Sequence, residues 1–234
     1  MLLIWDIHIN SKYKDRIISN IRNFVNKFPE EKNILFLWDY VYHFSYDRKA
    51  ILELFELFLE FFHAWKTIYV LAGNHDRLSQ TFVFEEAKKA FDIMNTQFEN
   101  KIFFIKEPFL TQVEWEEILF MPFNIDYKSW NDNFEELTKS KNKNENISAN
   151  INSYLKEYAD KNSKKLFVFH HFYFEGISFP WQFSKFSYKD IALSKTFLEN
   201  YPNLFFISWH LHKGFVHQNY LCTGSVYNTS PIEQ

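Results

Sequence analysis

Short apolar runs alternate along the chain with longer segments whose apolar residues recur at the spacing of a helix. The short runs are rich in β-branched and aromatic residues, as buried strands are; they cover residues 2–4, 34–37, 68–71, 166–169 and 204–207. The longer segments predict helices at residues 12–28, 47–62, 84–94 and 152–158. This alternation predicts an α/β fold with two sheets and outer helices.

The middle of the chain predicts a different arrangement. Strand-like runs at residues 102–105, 109–113 and 118–121 follow one another closely, so we expect an antiparallel meander closed by turns. Residues 138–165 are rich in Lys, Asn, Ser and Glu and predict a solvated loop around the helix at 152–158. Because no low-complexity linker divides the 234 residues, we predict one domain over residues 1–234.

A polar cluster directly follows each of five strand-like runs. The clusters are Asp6/His8, Asp39, Asn74/His75/Asp76, His170/His171 and His210/His212. Side chains two apart on an extended segment point to the same side, so Asp6 with His8, and His210 with His212, can each aim two ligands at one point. Any single histidine is more often structural than a ligand, but six polar positions at successive strand ends favour a metal site. The pattern predicts a two-metal phosphoesterase centre.

The ligand types narrow the choice of metal. Carboxylate, amide and imidazole groups without a thiolate suit Mn²⁺, Fe²⁺ or Zn²⁺ better than a structural zinc site or an all-oxygen calcium site, and we expect Mn²⁺ first. The single cysteine, Cys222, cannot form an internal disulfide, and no charge-free stretch approaches the length of a membrane span. These features predict a cytoplasmic protein without membrane contact. The net charge of −3 leaves any DNA-binding surface to be local.

The motifs, in order and across the whole chain, resemble the calcineurin-like metallophosphoesterase superfamily. Gly-Asn-His-Asp at residues 73–76 is the most specific of them. Within the superfamily the chain is most similar to SbcD-type nuclease subunits of double-strand-break processing complexes and their phage counterparts. This narrower similarity depends on Phe120-Met121-Pro122, on His171 five residues before Gly176, and on residues 220–225 after His-Leu-His.

The resemblance implies a four-layer α-β-β-α sandwich with two mixed β-sheets, and a role for each polar residue. One metal would be held by Asp6, His8 and His212, the other by Asn74, His171 and His210, with Asp39 between them. His75 would protonate the leaving oxygen and Asp76 would hold His75. His43 lies near the position where SbcD-type enzymes place a histidine close to the substrate phosphate, but one residue off. Of His170 and His171, the spacing to Gly176 favours His171.

The function implied by this resemblance is a DNA exonuclease or endonuclease acting in recombination or break repair. A stand-alone phosphomonoesterase or cyclic-nucleotide phosphodiesterase would share every metal ligand and is the main alternative; a non-catalytic scaffold is the less favoured one. Expected partners are DNA, an SbcC-like ATPase subunit and a second copy of the chain. The DNA-capping and ATPase-binding regions of SbcD-type proteins have no room here, so we expect a catalytic core, a compact protein or a truncated one.

The seven tryptophans stand where glycine is expected. Trp5, Trp38 and Trp209 directly precede Asp6, Asp39 and His210, where the family has small residues. The others follow a helix, sit in a hairpin turn or lie in polar or Pro-containing segments; they are Trp65, Trp115, Trp130 and Trp181. The chain has 4 glycines, whereas average usage would give roughly 16. We hypothesise a bacterial or phage gene that reads UGA as glycine; the alternative is seven genuine tryptophans.

Overall fold

The computed structural model describes residues 1–41, 48–73, 76–78, 81–123, 143–161, 164–175, 177, 191–208 and 214–223. These residues form two compact units that divide between Glu107 and Pro108. Each unit contains a central sheet and helices, which confirms the predicted α/β class. No helix within the described ranges combines the length and apolar character needed to cross a membrane. The prediction of a single functional domain stays a prediction.

The first unit is built on a four-stranded parallel sheet. Its strands are β1 (Leu2–Trp5), β2 (Asn33–Leu37), β3 (Thr67–Leu71) and β6 (Ile102–Ile105), in the order β1-β2-β3-β6. The connections contain α1 (Lys14–Asn26), α2 (Arg48–His63) and α3 (Lys88–Gln97). A small separate pair, β4 (Arg77–Leu78) and β5 (Thr81–Phe82), follows β3. Because parallel strands end at one edge, the residues that follow β1, β2 and β3 come together there.

Amphipathic helices cover this sheet. Ile17, Ile21 and Val25 of α1 recur every four positions and, together with the adjacent Ile18, belong to the same core as Ile34 and Phe36 of β2. The longer α2 buries six side chains in that core. Each buried Leu, Ile or Phe stabilises the unit by about 1.5–3 kcal/mol relative to exposure.

The second unit contains a mixed sheet of six strands. They are β7 (Phe109–Val113), β8 (Glu116–Met121), β9 (Leu166–His170), β12 (Leu204–Ser208), β13 (Phe215–His217) and β14 (Tyr220–Cys222), in the order β13-β14-β12-β9-β8-β7. The hairpins β7–β8 and β13–β14 are antiparallel, and the other pairings are parallel. β10 (Tyr173–Phe174) and β11 (Ala192–Leu193) form a short parallel pair, and α4 (Lys143–Lys161) and α5 (Thr196–Asn200) complete the unit.

Two predictions about the middle of the chain are wrong. The meander does not form, because β6 pairs parallel with β3 in the first unit and only β7 and β8 make a hairpin. All four residues of β6 are apolar, which suits a strand of a parallel sheet better than a half-exposed meander strand. The predicted solvated loop at 138–165 is largely the helix α4. Its apolar stripe, Ile147, Ile151 and Leu155, is fully buried, but the many polar residues on its other faces conceal the stripe in the sequence.

Candidate metal centre

Three predicted ligands meet at the carboxyl ends of β1 and β2. Ligand atoms of Asp6, His8 and Asp39 all lie within 4.8 Å of one another, and all three side chains are buried. Two carboxylates and an imidazole in a buried group are a donor set that suits Mn²⁺, Fe²⁺ or Zn²⁺. A buried cluster of two acids is costly without a compensating cation, so the residues present fit a metal.

Left-handed backbone brings the three side chains together. Asp6, His8 and Asp39 have φ of 53°, 45° and 51°, and the chain beyond β1 stays paired with the chain beyond β2 through a 2.8 Å hydrogen bond from the His8 N–H to the Asp39 carbonyl. Asp and His are among the residues that enter this region most readily. The expectation that Asp6 and His8 converge because the segment is extended is therefore wrong in its reason, although the two residues do converge.

His8 is oriented for ligation by its two ring nitrogens. Nδ1–H donates to the Val41 carbonyl oxygen at 3.3 Å, and Nε2 lies 2.5 Å from Asp6 Oδ1. Burial lowers the pKa of His8, but the hydrogen bond and charge of Asp6 and the charge of Asp39 outweigh burial and raise that pKa to about 9. The two carboxylates thus favour a positive charge at this position, where a cation would bind, and a carbonyl on the far nitrogen fixes the ring as it does for metal-bound histidines.

Asp76 holds the loops after β2 and β3 together. Its carboxylate accepts a hydrogen bond from the Tyr40 N–H at 2.6 Å and another from the Gly73 N–H at 2.8 Å. Complete burial raises the pKa of Asp76 to about 7, against the opposing effect of these hydrogen bonds. From the sequence, Asp76 is predicted only to hold His75; its place in Gly-Asn-His-Asp is the only signal for these two hydrogen bonds to backbone amides, which form the Asp76 clamp.

Gly73 is required by close packing beside Asp39. A Cβ on Gly73 would lie 2.5 Å from the Asp39 backbone nitrogen and 2.7 Å from the Trp38 Cβ, distances that no packed side chain adopts. The loop that leads to Asn74 therefore approaches the backbone of Asp39 directly. Glycine allows this close approach because it has no Cβ.

The two histidines after β9 have different surroundings. His170 is fully buried among Phe172, Phe174, Phe206 and Tyr220, whose ring centroids lie 5.5–6.1 Å away. Its Nδ1 accepts a hydrogen bond from the Phe172 N–H at 3.3 Å. His171, also buried, packs edge-on against Phe123 at 5.8 Å. The aromatic surroundings of His170 are those of a structural residue, and the choice of His171 as the ligand stays a prediction.

Several predicted site residues lie outside the described residues, and their assignments stay predictions. They are His43, Asn74, His75, His210 and His212. The strand that leads to His210 and His212 is described: at its end, the Ser208 and Tyr220 hydroxyls form a buried 2.5 Å hydrogen bond. This bond joins β12 to β14, and the sequence analysis did not anticipate it.

Comparison with known proteins places the motifs in a family. The family model of calcineurin-like phosphoesterases matches residues 2–213. No curated protein sequence matches the chain. The fold is similar to the crystal structure of a dimetal phosphatase from Danio rerio, with 12% identity, a TM-score of 0.55, and coverage of 98% of this chain and 88% of that one.

A second similar structure is a protein of unknown function from Aquifex aeolicus, at 12% identity and a TM-score of 0.29, covering 72% of this chain and 75% of that one. At such identities, structural likeness concerns the fold alone, and a TM-score this low supports no argument about this chain. The family model, in contrast, spans all the polar clusters from Asp6 to His212. The chain belongs to the calcineurin-like phosphoesterase family, whose members are metal-dependent hydrolases.

Proposed function

We propose that this chain is a two-metal phosphodiesterase that cleaves DNA, as an SbcD-type nuclease does. The observation that carries the proposal is the buried cluster of Asp6, His8 and Asp39, whose ligand atoms lie within 4.8 Å of one another. Asn74, His171, His210 and His212 are the remaining ligands in this proposal, and Mn²⁺ is the proposed metal. When bound, two such cations would lower the pKa of a shared water and neutralise charge on the phosphate oxygens.

The described residues prepare the site in three ways. Asp6 and Asp39 concentrate negative charge in a buried position, which favours cation binding over a proton as pH rises. Val41 fixes the His8 ring through its carbonyl oxygen. Asp76 keeps the loops of Asp39 and Asn74 together through the Tyr40 and Gly73 amides. His75 is the proposed general acid, because it directly precedes Asp76 in the motif.

The DNA substrate is supported by features of the second unit. Phe120-Met121-Pro122 ends β8, and Met121 pairs in register with His170 of β9. His171, which carries the second motif of the SbcD-type resemblance, directly follows this pair, although the two segments are about fifty residues apart in the chain. The proposal of a DNA substrate rests on the resemblance of these short motifs.

A phosphomonoesterase is the second candidate. The observation that favours it is the likeness, over 98% of this chain, to a protein described as a dimetal phosphatase. Such an enzyme would use the same ligands, so the metal centre does not distinguish the two functions. They differ in the substrate that is cleaved.

The test is an assay of the purified protein with Mn²⁺ on three substrates: linear duplex DNA, bis-p-nitrophenyl phosphate and p-nitrophenyl phosphate. We expect cleavage of DNA and of the diester, and weak activity on the monoester. Asp39→Asn is the inactive control. Asp92→Asn is the matched control, since Asp92 is an exposed acid on α3 paired with Lys88.

Three results would decide against the proposal in different ways. Activity on the monoester without DNA cleavage would favour the phosphatase. Activity on the small diester alone would favour a cyclic-nucleotide or similar phosphodiesterase. Equal loss of activity in Asp39→Asn and Asp92→Asn would contradict the metal centre itself.

A further inference from the structure

Trp65 occupies the position in a helix ending that glycine normally takes. The Trp65 N–H donates to the Phe62 carbonyl at 3.0 Å, and the Lys66 N–H donates to the Phe61 carbonyl at 3.1 Å. This pair of bonds is the Schellman motif at the end of α2, with Trp65 as the first residue past the cap. Trp65 has φ of 62°, in the left-handed region that this position requires. Its side chain is 66% exposed, so packing of the ring contributes little in return.

Trp38 is in the same conformation in a different environment. It directly precedes Asp39, has φ of 46° and is fully buried. Its backbone lies against Gly73, where the Cβ that glycine lacks would fall 2.7 Å from the Trp38 Cβ. One exposed and one buried tryptophan therefore share a left-handed backbone. Trp38 and Trp65 thus share a backbone conformation, although their rings have different surroundings.

Residue type or a hairpin turn accounts for the other left-handed positions. Asp6, His8 and Asp39 belong to types that enter this region readily, whereas a bulky residue there is an outlier. Glu114 and Gln218, the remaining cases among the described residues, are polar residues in the two-residue loops of the hairpins β7–β8 and β13–β14. Tryptophan has no local hydrogen bond that would favour a left-handed backbone.

We infer that the source cell places glycine at positions 38 and 65, by reading UGA codons as glycine. The scarcity of glycine agrees: the chain has 7 tryptophans and 4 glycines, against an average glycine usage near 7%. The same codon would account for Trp5, Trp115, Trp130, Trp181 and Trp209. The inference at position 65 does not depend on the proposed function, because Trp65 precedes β3, whereas Asp6, His8 and Asp39 follow the carboxyl ends of β1 and β2.

For position 38 the inference bears on the metal centre. A residue without a side chain adopts φ near 46° at no steric cost, so Asp39 would keep its place without strain from its neighbour. Residue 38 is in this sense a positioning residue for Asp39. A substitution at residue 38 is therefore expected to change metal binding, which can be measured without turnover.

The first experiment reads the gene and the protein. The codons for residues 38 and 65 are sequenced from source DNA, and the matching peptides of the native protein are weighed by mass spectrometry. We expect UGA codons and glycine-containing peptides. UGG codons would overturn the inference, and so would UGA codons with tryptophan-containing peptides.

The second experiment compares paired variants of the tryptophan-containing chain. Trp65→Gly should lower the unfolding equilibrium constant roughly two- to tenfold, after glycine's own entropic cost, whereas Trp65→Ala, which keeps the Cβ, should not. Trp38→Gly should retain more Mn²⁺ than Trp38→Ala by metal analysis. If both glycine variants were less stable than their alanine partners and bound less metal, tryptophan or another L-residue would be native at these positions.

Discussion

The ends of the strands in the two units differ in the side chains that they carry and in their backbone conformation. After β1 and β2, Asp6, His8 and Asp39 form a buried charged group on a left-handed backbone. At the end of β9, His170 is the last strand residue and His171 follows it, and the ring of His170 is surrounded by aromatic side chains. Neither histidine has a positive φ.

This difference shows where strain accompanies function. A left-handed residue costs about 1–2 kcal/mol, so a backbone with four of them, Asp6, His8, Trp38 and Asp39, persists only where its surroundings hold it. Here the parallel pairing of β1 with β2 and the Asp76 clamp supply that support. The second unit uses two adjacent histidines instead, one for packing and one for the predicted ligation. The predictions below test this contrast.

The largest effect is expected at Asp39. Asp39→Asn should abolish turnover and reduce metal content, because it removes a negative charge that both cations of the proposed centre would share. The loss of activity should exceed the roughly 10- to 100-fold decrease that follows removal of a residue that hydrogen-bonds a metal ligand. Steady-state rates on the diester and metal analysis measure it. Wild-type activity with two bound metals in this variant would contradict the assignment.

His75→Asn should retain metal but lose roughly 10² to 10⁴ in rate on substrates with poor leaving groups, the usual contribution of a general acid. A p-nitrophenyl leaving group needs no proton and should conceal the loss. The comparison of DNA with the p-nitrophenyl diester measures the difference. Equal damage to both substrates would argue against a leaving-group role.

Asp76→Asn separates the clamp from the role predicted beside His75. The amide can replace only one of two acceptor oxygens, so we expect stability to fall by about 1–3 kcal/mol and metal content to fall as well. Chemical denaturation and metal analysis report these changes. Unchanged stability together with the leaving-group profile of His75→Asn would mean that Asp76 acts through His75 alone.

A pair of substitutions tests the contrast between adjacent histidines. His170→Phe should cost about 1–3 kcal/mol of stability, because the Phe172 N–H loses its acceptor, yet it should leave metal content intact. His171→Phe should do the reverse and lower metal content. If His170→Phe were the variant that loses metal, the choice between the two residues would be wrong.

The smallest effect is expected in the pH dependence of the metal-free protein. The pKa of His8 is raised to about 9, so its stabilising contribution is complete below about pH 6.5 and is lost as pH rises through 9. The raised pKa of Asp76, about 7, removes stability in the same direction but in the lower window, from about pH 4 to 7. His8→Gln should remove only the upper phase, as thermal unfolding across this range would show. Mn²⁺ affinity should rise over the same upper window.

Several elements could be predicted because they depend on local pattern. The buried strands β1, β2 and β3 and the helix α2 follow from apolar spacing, and the structure places them within one or two residues of the prediction. The pairing of β6 could not be predicted, since an apolar run carries no information about which strand it will join. The helix α4 was underestimated because its apolar and polar residues are less clearly separated on two faces than those of α1.

The sequence by itself determined the family, the order of the polar clusters and the kinds of ligand they offer, because these depend on residue types and their spacing. It also pointed to Trp38 and Trp65 as places for glycine. Only the tertiary structure decided how Asp6, His8 and Asp39 meet, that Asp76 bonds the Tyr40 and Gly73 amides, and that aromatic rings surround His170. The physical reason is that backbone handedness, hydrogen-bond partners and ring contacts are set by segments far apart in the chain, and no local pattern specifies them.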